Sequence, residues 1–385
     1  TATRTATAAA TTRGAAATEW GTLGTGIDGY ASAVALAVND AGTAVGRSEK
    51  YDGGVSKGYR AVRWDPSGAA ATELGNLGLS DTGVTIVEAY AVNAGGTAVG
   101  SAQMYNSGND MGRRAVRWDA SGVATELPNL GLTTGSSRAY AYAINDANTA
   151  VGFSQKPGGL FQLGTRAVRW NASGAVTELG NLGLRIDDVT DARDVAVNTL
   201  GTAVGWATKY VDGSSMGDRA VRWDGSGTAA TELGSLGLDN SNYAITSAFA
   251  VNDAGTAVGY AEQYVSGNLV GTRAVRWDGS GTVATELGNL GLDINNSTEA
   301  RAYAVNGAGS AVGYSQKYVG GSYVGDRAVI WLPDASAIDL NNLGVVPVPA
   351  GGTWTLTTAR AISADGWVAG SGTFDPDGGG PQAGY

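Results

Sequence analysis

The sequence contains no cysteine and no histidine. These two absences exclude disulfides, thiolate and imidazole metal ligands, nucleophilic cysteines and every general base built on imidazole. Most familiar catalytic arrangements are therefore excluded. A chain without cysteine is compatible with a reducing cytosol and with a bacterial exterior, so the compartment stays open at this point.

Charged residues are also scarce, at 16% of the chain, and the net charge of -10 is acidic. Nucleic acids and anionic membranes bind basic surfaces, so we expect neither as a partner. No apolar run approaches the ~20 residues that a membrane-spanning helix needs, and we expect no membrane span. No signal peptide is recognised, and the start at Thr1 rather than Met indicates a processed, mature form.

What the sequence does contain is one unit of about 54 residues that occurs seven times. Three segments mark it. The first, Ala-Val-Asn-Asp-Ala-Gly-Thr-Ala-Val-Gly, begins at Ala37, Ala91, Ala143, Ala196, Ala250, Ala304 and, in weaker form, Ala361. The second, Arg-Ala-Val-Arg-Trp, begins at Arg60, Arg114, Arg166, Arg219, Arg273 and Arg327, with a degraded copy at Gln382–Tyr385. The third, Thr-Glu-Leu-Gly-Asn-Leu-Gly, begins at Thr72, with partners at Thr18, Thr125, Thr177, Thr231, Thr285 and Ile338.

Each unit contains four short β-type runs, because Val, Thr, Tyr and Trp recur between Gly and Asn-Asp punctuation. The first two runs flank the hairpin turn Asn39–Gly42, and the last two flank Asp65–Gly68. We expect a looser loop of variable length between the second run and the third. The unit is therefore predicted to be a four-stranded antiparallel meander.

Four-stranded units of this length, repeated several times, are typical of β-propellers. We predict an all-β, seven-bladed β-propeller that forms a single domain over residues 15–385, preceded by an N-terminal tail over residues 1–14. The alanine-rich run is the innermost strand, where blades converge, and the Thr-Glu run is the outermost. The last blade is closed by the N-terminal strand, with Ala17–Trp20 pairing to Gln382–Tyr385.

The three motifs together resemble the bacterial extracellular HAF-repeat family over nearly the whole chain, with Arg and Val in place of that family's His and Phe. The closing stretch Pro349–Thr357 followed by Ala361–Ser363 also looks like the end of such proteins. The resemblance implies a secreted or cell-surface location and no established enzymatic activity.

The residues that recur in every unit are interpreted as scaffold. Counting outward from the Asp65–Gly68 turn, Trp64 faces Ala69 and Arg60 faces Glu73, and the same count pairs Arg219 with Glu232 and Arg273 with Glu286. One tryptophan per unit is predicted to fill the space between sheets rather than to stack on sugars: Trp64, Trp118, Trp170, Trp223, Trp277 and Trp331. One asparagine per unit is predicted to shape the tight turn: Asn39, Asn93, Asn145, Asn198, Asn252 and Asn306.

Function is expected where the units differ. A tyrosine lies near the connection between the second and third runs of five units: Tyr51, Tyr105, Tyr210, Tyr264 and Tyr318. Aromatic rings beside Asn, Ser and Gly make adaptable contact surfaces, so these tyrosines are the ligand-binding candidates for a protein or a polysaccharide. Capping of the sheet is an equally good explanation.

Aspartates recur in the linkers between units, at Asp28, Asp81, Asp187, Asp188, Asp239 and Asp293. Solvated acidic turns explain most of them, because the spacing matches no dense calcium loop. The best candidate for a metal site, with calcium as the ion, is the group Asp187, Asp188, Asp191 and Asp194. No other cofactor and no catalytic residue is predicted.

Three functions follow from this reasoning. The first is a non-catalytic extracellular or cell-surface module that binds a polysaccharide or a protein. The second is a structural subunit of an extracellular sheath, surface layer or filament, with self-assembly through the N-terminal tail. The third is a carboxylate-based polysaccharide hydrolase or lyase, for which no pair of carboxylates stands out.

Overall fold

The structure, a computed structural model, describes residues 20–68, 70–131, 137–158, 161–344 and 352–375. These residues fall into two compact units, the first containing described residues of 20–180 and 187–201, the second those of 181–186 and 202–375. The only helix in the described ranges is a 3-10 turn at Leu340–Leu343. The predicted tail and both halves of the predicted closing strand lie outside the described residues, apart from Trp20.

The strands of the first unit follow the repeat. They are β1 (Ala33–Val38), β2 (Ala44–Asp52), β3 (Val55–Trp64), β4 (Ala71–Glu73), β5 (Val87–Val92), β6 (Ala98–Asn106), β7 (Asn109–Trp118), β8 (Ala124–Glu126), β9 (Ala139–Ile144), β10 (Ala150–Gly158), β11 (Phe161–Trp170), β12 (Val176–Glu178) and β13 (Ala192–Val197). Each successive group of four pairs in chain order as an antiparallel meander, with β13 as the first strand of the fourth repeat.

The strands of the second unit continue the same series. They are β14 (Ala203–Val211), β15 (Ser214–Trp223), β16 (Ala230–Glu232), β17 (Thr246–Val251), β18 (Ala257–Val265), β19 (Asn268–Trp277), β20 (Ala284–Glu286), β21 (Thr298–Val305), β22 (Ala311–Val319), β23 (Ser322–Trp331), β24 (Ala337–Asp339), β25 (Thr353–Ile362) and β26 (Val368–Asp375). Antiparallel pairing in chain order holds here too, and two residues of β19 also pair in parallel with β21. The prediction of an all-β chain built from four-stranded antiparallel sheets is confirmed.

The connection between the second and third strands differs from the expected loose loop. The strands β2 and β3, of 9 and 10 residues, form one long hairpin closed by Gly53 and Gly54. Both glycines have positive φ, 56° and 77°. Two consecutive residues with positive φ make the tight turn that matches the twist of a hairpin, so no longer loop is needed.

The outer strand is shifted by two residues from the expected register. Trp64 lies opposite Ala71 and Val62 opposite Glu73, so the predicted pairing of Trp64 with Ala69 is wrong. The turn at Asp65–Gly68 forms, with Gly68 N donating to Asp65 O at 2.7 Å, but two further residues precede β4. The Arg60–Glu73 ion pair is confirmed as a diagonal contact, with 3.2 Å between Nε and Oε1.

The six repeated tryptophans are the core of the sheets, each at most 1% exposed. Their predicted packing role is confirmed. The indole Nε1 of Trp118 donates to Gly75 O at 2.7 Å, and that of Trp331 donates to Gly288 O at 2.6 Å. Because each acceptor belongs to the preceding repeat, the ring joins two repeats as well as filling the space between them.

The repeated asparagines form a second set of joints, here called the asparagine ladder. Asn39 Oδ1 accepts from Thr43 N at 2.9 Å, which confirms the turn-forming role. Its Nδ2 donates to the backbone O of Asn93 at 2.9 Å, and Asn93 donates in the same way to Asn145 at 3.1 Å. In the second unit Asn252 donates to Asn306 at 2.9 Å. Within each unit the ladder therefore ties a turn to the equivalent turn of the next repeat.

The repeated arginines supply a third set of contacts between neighbouring repeats. Besides its ion pair, Arg60 donates to Thr85 O at 2.8 Å and to Gly83 O at 3.0 Å, both in the linker that leads to the next repeat. The second arginine of the motif, Arg63, donates to Gly96 O at 2.7 Å in the following turn. Both guanidinium groups are thus occupied with backbone carbonyls, as expected of scaffold residues.

The ladder predicts that replacing two adjacent turn residues by alanine has different effects on stability. Asn39→Ala removes the acceptor of Thr43 N and the donor to Asn93 O, so we expect a loss of about 1–2 kcal/mol in the free energy of unfolding. The exposed neighbour Asp40 is the matched control, and Asp40→Ala is expected to change stability by less than about 0.5 kcal/mol. Urea denaturation followed by circular dichroism measures both. Equal losses in the two variants would contradict the role of the ladder.

Candidate functional site

The candidate site is the hairpin end of the repeats, meaning the turns between the second and third strands together with the linkers between repeats. A meander brings these two connections to the same end of each sheet. The contact is direct, because the backbone N of Tyr51 donates to Leu23 O at 3.2 Å and that of Tyr318 donates to Leu290 O at 3.1 Å. The tyrosine backbone is therefore fixed to the preceding linker, and the side chain is positioned by both connections.

All five candidate tyrosines lie near the ends of second strands, and all are half-buried. Each belongs to the hairpin of its own repeat. Tyr264 donates its hydroxyl to Glu262 Oε2 at 2.8 Å, and Tyr318 donates to Gln316 Oε1 at 3.0 Å. The ring of Tyr318 also lies 5.7 Å from that of Tyr323, which is 53% exposed. A partly exposed ring with a fixed polar tip suits both a contact surface and a cap, so the binding role stays a prediction.

Two of these phenols have perturbed acidity. Burial, followed by the hydrogen bond to Glu49, raises the pKa of Tyr51 to about 12. Burial and the hydrogen bond to Glu262 raise the pKa of Tyr264 to about 12 as well. Both rings are therefore neutral hydrogen-bond donors at physiological pH, and neither is poised as a general base.

In the linkers whose tips the structure describes, the tip packs on the turn glycine of the adjacent hairpin, and the residue at the tip varies. Ile27 lies against Gly54, where a Cβ would collide with its Cγ2, and Ile294 lies against Gly321 in the same way. In the second repeat Asp81 takes that place against Gly108. Ile27 is 90% exposed although it is apolar. The hairpin end thus has constant geometry and changing chemistry.

Exposed apolar side chains gather at the hairpin end of repeats five and six. They are Val265, Leu269, Ile294, Val319, Tyr323 and Val324. Scattered apolar residues are normal on a protein surface, but several on neighbouring tips of one sheet end are typical of a contact surface.

The linker aspartates shape their own turns. Asp28 Oδ1 accepts from Tyr30 N at 2.9 Å, and Asp293 Oδ1 accepts from Ser297 N at 2.7 Å. Hydrogen bonds from the backbone of Tyr243 and the hydroxyl of Ser241 lower the pKa of Asp239. This supports the interpretation of these residues as acidic turns.

The predicted metal group is placed as follows. Asp191 Oδ1 accepts from the backbone N and the hydroxyl of Thr165, at 2.9 and 2.6 Å. Asp187 and Asp188 lie in the linker turn, Asp188 with a φ of 62°, and Asp194 lies in β13, its side chain outside the described residues. Within the described part of the chain, no three carboxylates come together. Calcium binding and the hydrolase hypothesis both stay predictions.

A polar cluster at the first strands was not predicted. Glu88 of β5 contacts Arg47 of β2, accepts from the Tyr90 hydroxyl at 2.9 Å and lies 3.1 Å from Arg113 Nη1. Its side chain is 9% exposed. The sequence did contain a signal, because the residue equivalent to Glu88 changes widely from repeat to repeat, whereas the residues on either side of it are mostly alanine: Val34, Glu88, Tyr140, Arg193, Ser247 and Arg301.

Aromatic rings lie at or near this variable position in both units. Tyr140 stacks on Phe153 with centroids 4.9 Å apart, and Phe249 lies 5.6 Å from Tyr303. The guanidinium of Arg360 lies 4.4 Å from the Tyr303 centroid. Arginine over a ring is a favourable contact when both groups are partly desolvated. These contacts therefore add stability at positions that the motifs leave variable.

Fold and site together define a repeat protein of antiparallel four-stranded sheets with a variable hairpin end. No protein-family model matches the chain, and a search of curated proteins finds no significant relative. The resemblance to HAF-repeat proteins therefore stays a prediction. In the described residues, no helix combines the length and apolar character needed to cross a membrane.

Several solved structures are similar at low identity. The β-propeller domain of the Trilobed protease from Pyrococcus furiosus is 11% identical, with 83% of this chain and 98% of that chain covered and a TM-score of 0.36. TolB from Acinetobacter baumannii is 9% identical, with coverage of 76% and 62% and a TM-score of 0.35. A gluconolactonase from Xanthomonas campestris is 14% identical, with coverage of 72% and 80% and a TM-score of 0.31. Likeness at these scores carries no argument about this chain's function.

The Glu88 cluster predicts that the stability of the fold depends on pH. Burial alone raises the pKa of Glu88, but hydrogen bonds from Arg47 and Tyr90 and the charge of Arg113 outweigh it, so the net pKa is lowered. A carboxyl whose folded-state pKa is lowered stabilises the fold above its unfolded pKa of about 4.3, and this contribution is lost as the pH falls through the folded value.

We therefore expect Glu88→Gln to be less stable than the native chain at pH 7, by about 1–3 kcal/mol, and the gap to narrow as the pH falls below about 5. Thermal melts of both proteins across this range measure it. A gap that is the same at pH 7 and pH 3 would show that the Glu88 charge does not contribute.

Proposed function

We propose that the seven repeats close into a seven-bladed β-propeller that acts as a non-catalytic extracellular or cell-surface binding module, with its hairpin end in contact with a polysaccharide or protein partner. One observation supports this most strongly. The repeated Trp, Asn and Arg side chains are occupied by contacts between repeats, whereas the turns and linkers of the hairpin end vary in sequence and carry exposed side chains. The variable end is therefore available for a partner.

The proposed ring is supported by the way first strands pack. Within the first unit β1 contacts β5, β5 contacts β9 and β9 contacts β13, and within the second β17 contacts β21 and β21 contacts β25. First strands converge in this manner around the axis of a propeller. The seventh repeat contributes β25 and β26, so closure of the ring requires further strands from the chain ends.

The chemistry of the hairpin end supports binding rather than catalysis. The raised pKa values of Tyr51 and Tyr264 keep these two phenols neutral at physiological pH, and the aspartates of this end accept hydrogen bonds from their own turns. Phenol rings beside amide groups and aliphatic tips give adaptable contacts without a reactive group. The resemblance to HAF-repeat proteins supports the extracellular location.

Removal of the tyrosine rings tests the proposal. We expect Tyr264→Ala and Tyr318→Ala each to weaken binding about five- to tenfold, because each ring supplies roughly 1 kcal/mol of contact energy. Binding is measured on an array of extracellular polysaccharides and by affinity electrophoresis, and for protein partners by cross-linking to the extracellular protein fraction.

Trp367→Ala is the matched control, because Trp367 is also an exposed aromatic residue but lies in the turn between β25 and β26, at the end of the sheet opposite to the hairpin end. Binding that survives both tyrosine replacements, or that falls equally in the control, would contradict a binding role for the tyrosines of the hairpin end.

A structural subunit of an extracellular layer is the second candidate function. The exposed apolar tips of repeats five and six favour it, since like surfaces also associate with each other. Sedimentation velocity at high protein concentration separates the two, because only the structural subunit forms oligomers without an added partner.

A further inference from the structure

Repeat five differs from four of the other repeats beside its outer strand, and repeat two, with Met104 at the same position, also lacks their lysine. In four repeats a lysine of the second strand reaches the acidic residue of the outer strand, with Nζ to carboxylate distances of 2.6 to 2.9 Å. These lysines are Lys50, Lys156, Lys209 and Lys317. In repeat five the position is Gln263, whose Nε2 donates to Glu286 Oε2 at 2.8 Å. A neutral amide therefore replaces an ammonium at this position.

A shallow pocket of about 230 Å³ opens next to this glutamine. It lies between the hairpin of β18 and β19 and the linker that follows β20. The aliphatic side is formed by Val265, Val270 and Leu292, and the polar side contains the amides Asn289, Asn295 and Asn296. Arg273 and Glu286 form its base.

The base of the pocket has no net charge and does not move easily. Arg273 Nε lies 3.1 Å from Glu286 Oε1, and the Arg273 side chain is only 3% exposed. Its other nitrogens donate to the backbone O of Thr298 at 2.7 Å and of Asn296 at 3.0 Å. Because the scaffold already uses this guanidinium, it is not available to bind an anion, and the pocket favours an uncharged ligand.

The amides at the rim keep unused hydrogen-bonding capacity. The side chains of Asn295 and Asn296 are exposed and make no side-chain hydrogen bond to any described residue. Asn289 uses its Oδ1 for Gly291 N at 3.0 Å, which leaves its Nδ2 to the pocket. Each amide offers both a donor and an acceptor, the combination that a hydroxyl group requires.

We propose that this pocket is a subsite for one uncharged sugar residue of a polysaccharide. Its amides would bind the hydroxyls, and Val265, Val270 and Leu292 would contact the C–H face of the ring. The volume suits a single ring, since sites for drug-sized ligands occupy roughly 300–1,000 Å³. The inference rests on the proposed binding function and specifies its ligand class and its place, repeat five.

Introduction of the lysine found in four of the other repeats is the first test. In Gln263→Lys the new ammonium reaches Glu286, as Lys209 reaches Glu232 at 2.7 Å, and places a charge beside the pocket while the scaffold contacts remain. We expect affinity for the best neutral ligand to fall about tenfold, with the melting temperature unchanged or raised.

Lys209→Gln is the matched control, because it makes the reverse exchange at the same position of repeat four and should leave affinity unchanged. Isothermal calorimetry with maltohexaose, cellohexaose, mannohexaose and xylohexaose measures the affinities. Alginate and pectate oligosaccharides serve as anionic probes, and an asparagine-rich peptide as a protein-like one.

A second variant tests the rim without adding charge. Asn295→Ala keeps the backbone N that donates to Asp293 Oδ1 at 2.8 Å, and Asn296→Gly keeps the positive φ of 59°. The double variant should fold normally and lose at least about fivefold in affinity. Melting curves identify any loss of fold.

The outcomes separate the two proposals. Equal binding of a neutral oligosaccharide by the native chain and Gln263→Lys overturns the subsite, and the proposed function then depends on the tyrosine variants alone. Preference for the anionic probes or the peptide, or no binding of any hexaose, also overturns the subsite. Loss of binding in Gln263→Lys and the rim variant, with no change in the tyrosine variants, supports the pocket and moves the site away from the tyrosines.

Discussion

The repeats are held together because side chains of one repeat satisfy backbone carbonyls of its neighbour. Three residue types do this at fixed places: Asn39 at the turn, Arg60 at the linker and Trp118 between the sheets. A buried carbonyl that loses its donor costs about 1–3 kcal/mol. Separation of two repeats would break all three contacts and expose a tryptophan, so neighbouring repeats stabilise each other strongly.

This constraint decides where function is possible. A guanidinium that donates to two or three carbonyls, as Arg60 does, has no geometry left for a ligand. The same holds for the amide of Asn93, whose oxygen and nitrogen both have partners. The regular part of the repeat is therefore committed to the fold. The positions at hairpin tips and linkers, whose side chains these contacts do not use, can change from repeat to repeat without cost to stability.

The sequence predicted what depends on one repeat alone. The antiparallel meander, the packing of Trp64 and the contact of Arg60 with Glu73 follow from alternation, turn residues and local spacing, and all three are confirmed. The exact register of β4 against β3 could not be predicted, because the two residues between Gly68 and β4 have no distinctive turn signal. Their presence moves Ala71, not Ala69, opposite Trp64.

The individual hydrogen-bond partners that join two repeats could not be predicted from the motif. The partner of Asn39 is 54 residues away and that of Arg47 is 41 residues away, so neither pair has a local pattern. The same reason explains why the hairpin tyrosines stood out and Glu88 did not. The tyrosines recur at one position of the repeated sequence, whereas Glu88 is recognised as part of a cluster only when β2 and β5 lie side by side.

Repeat five shows how a site arises on such a scaffold with little change in the contacts that stabilise the fold. The exchange of lysine for Gln263 keeps a donor on Glu286, and Arg273 retains its ion pair and its backbone acceptors. The contacts that join the repeats are thus unchanged, as the ladder from Asn252 to Asn306 confirms. What changes is the charge beside the outer strand, since an ammonium is replaced by an amide. Because the joints lie within and between the sheets and the variation lies at their outer end, each repeat can acquire its own surface chemistry while the fold stays constant.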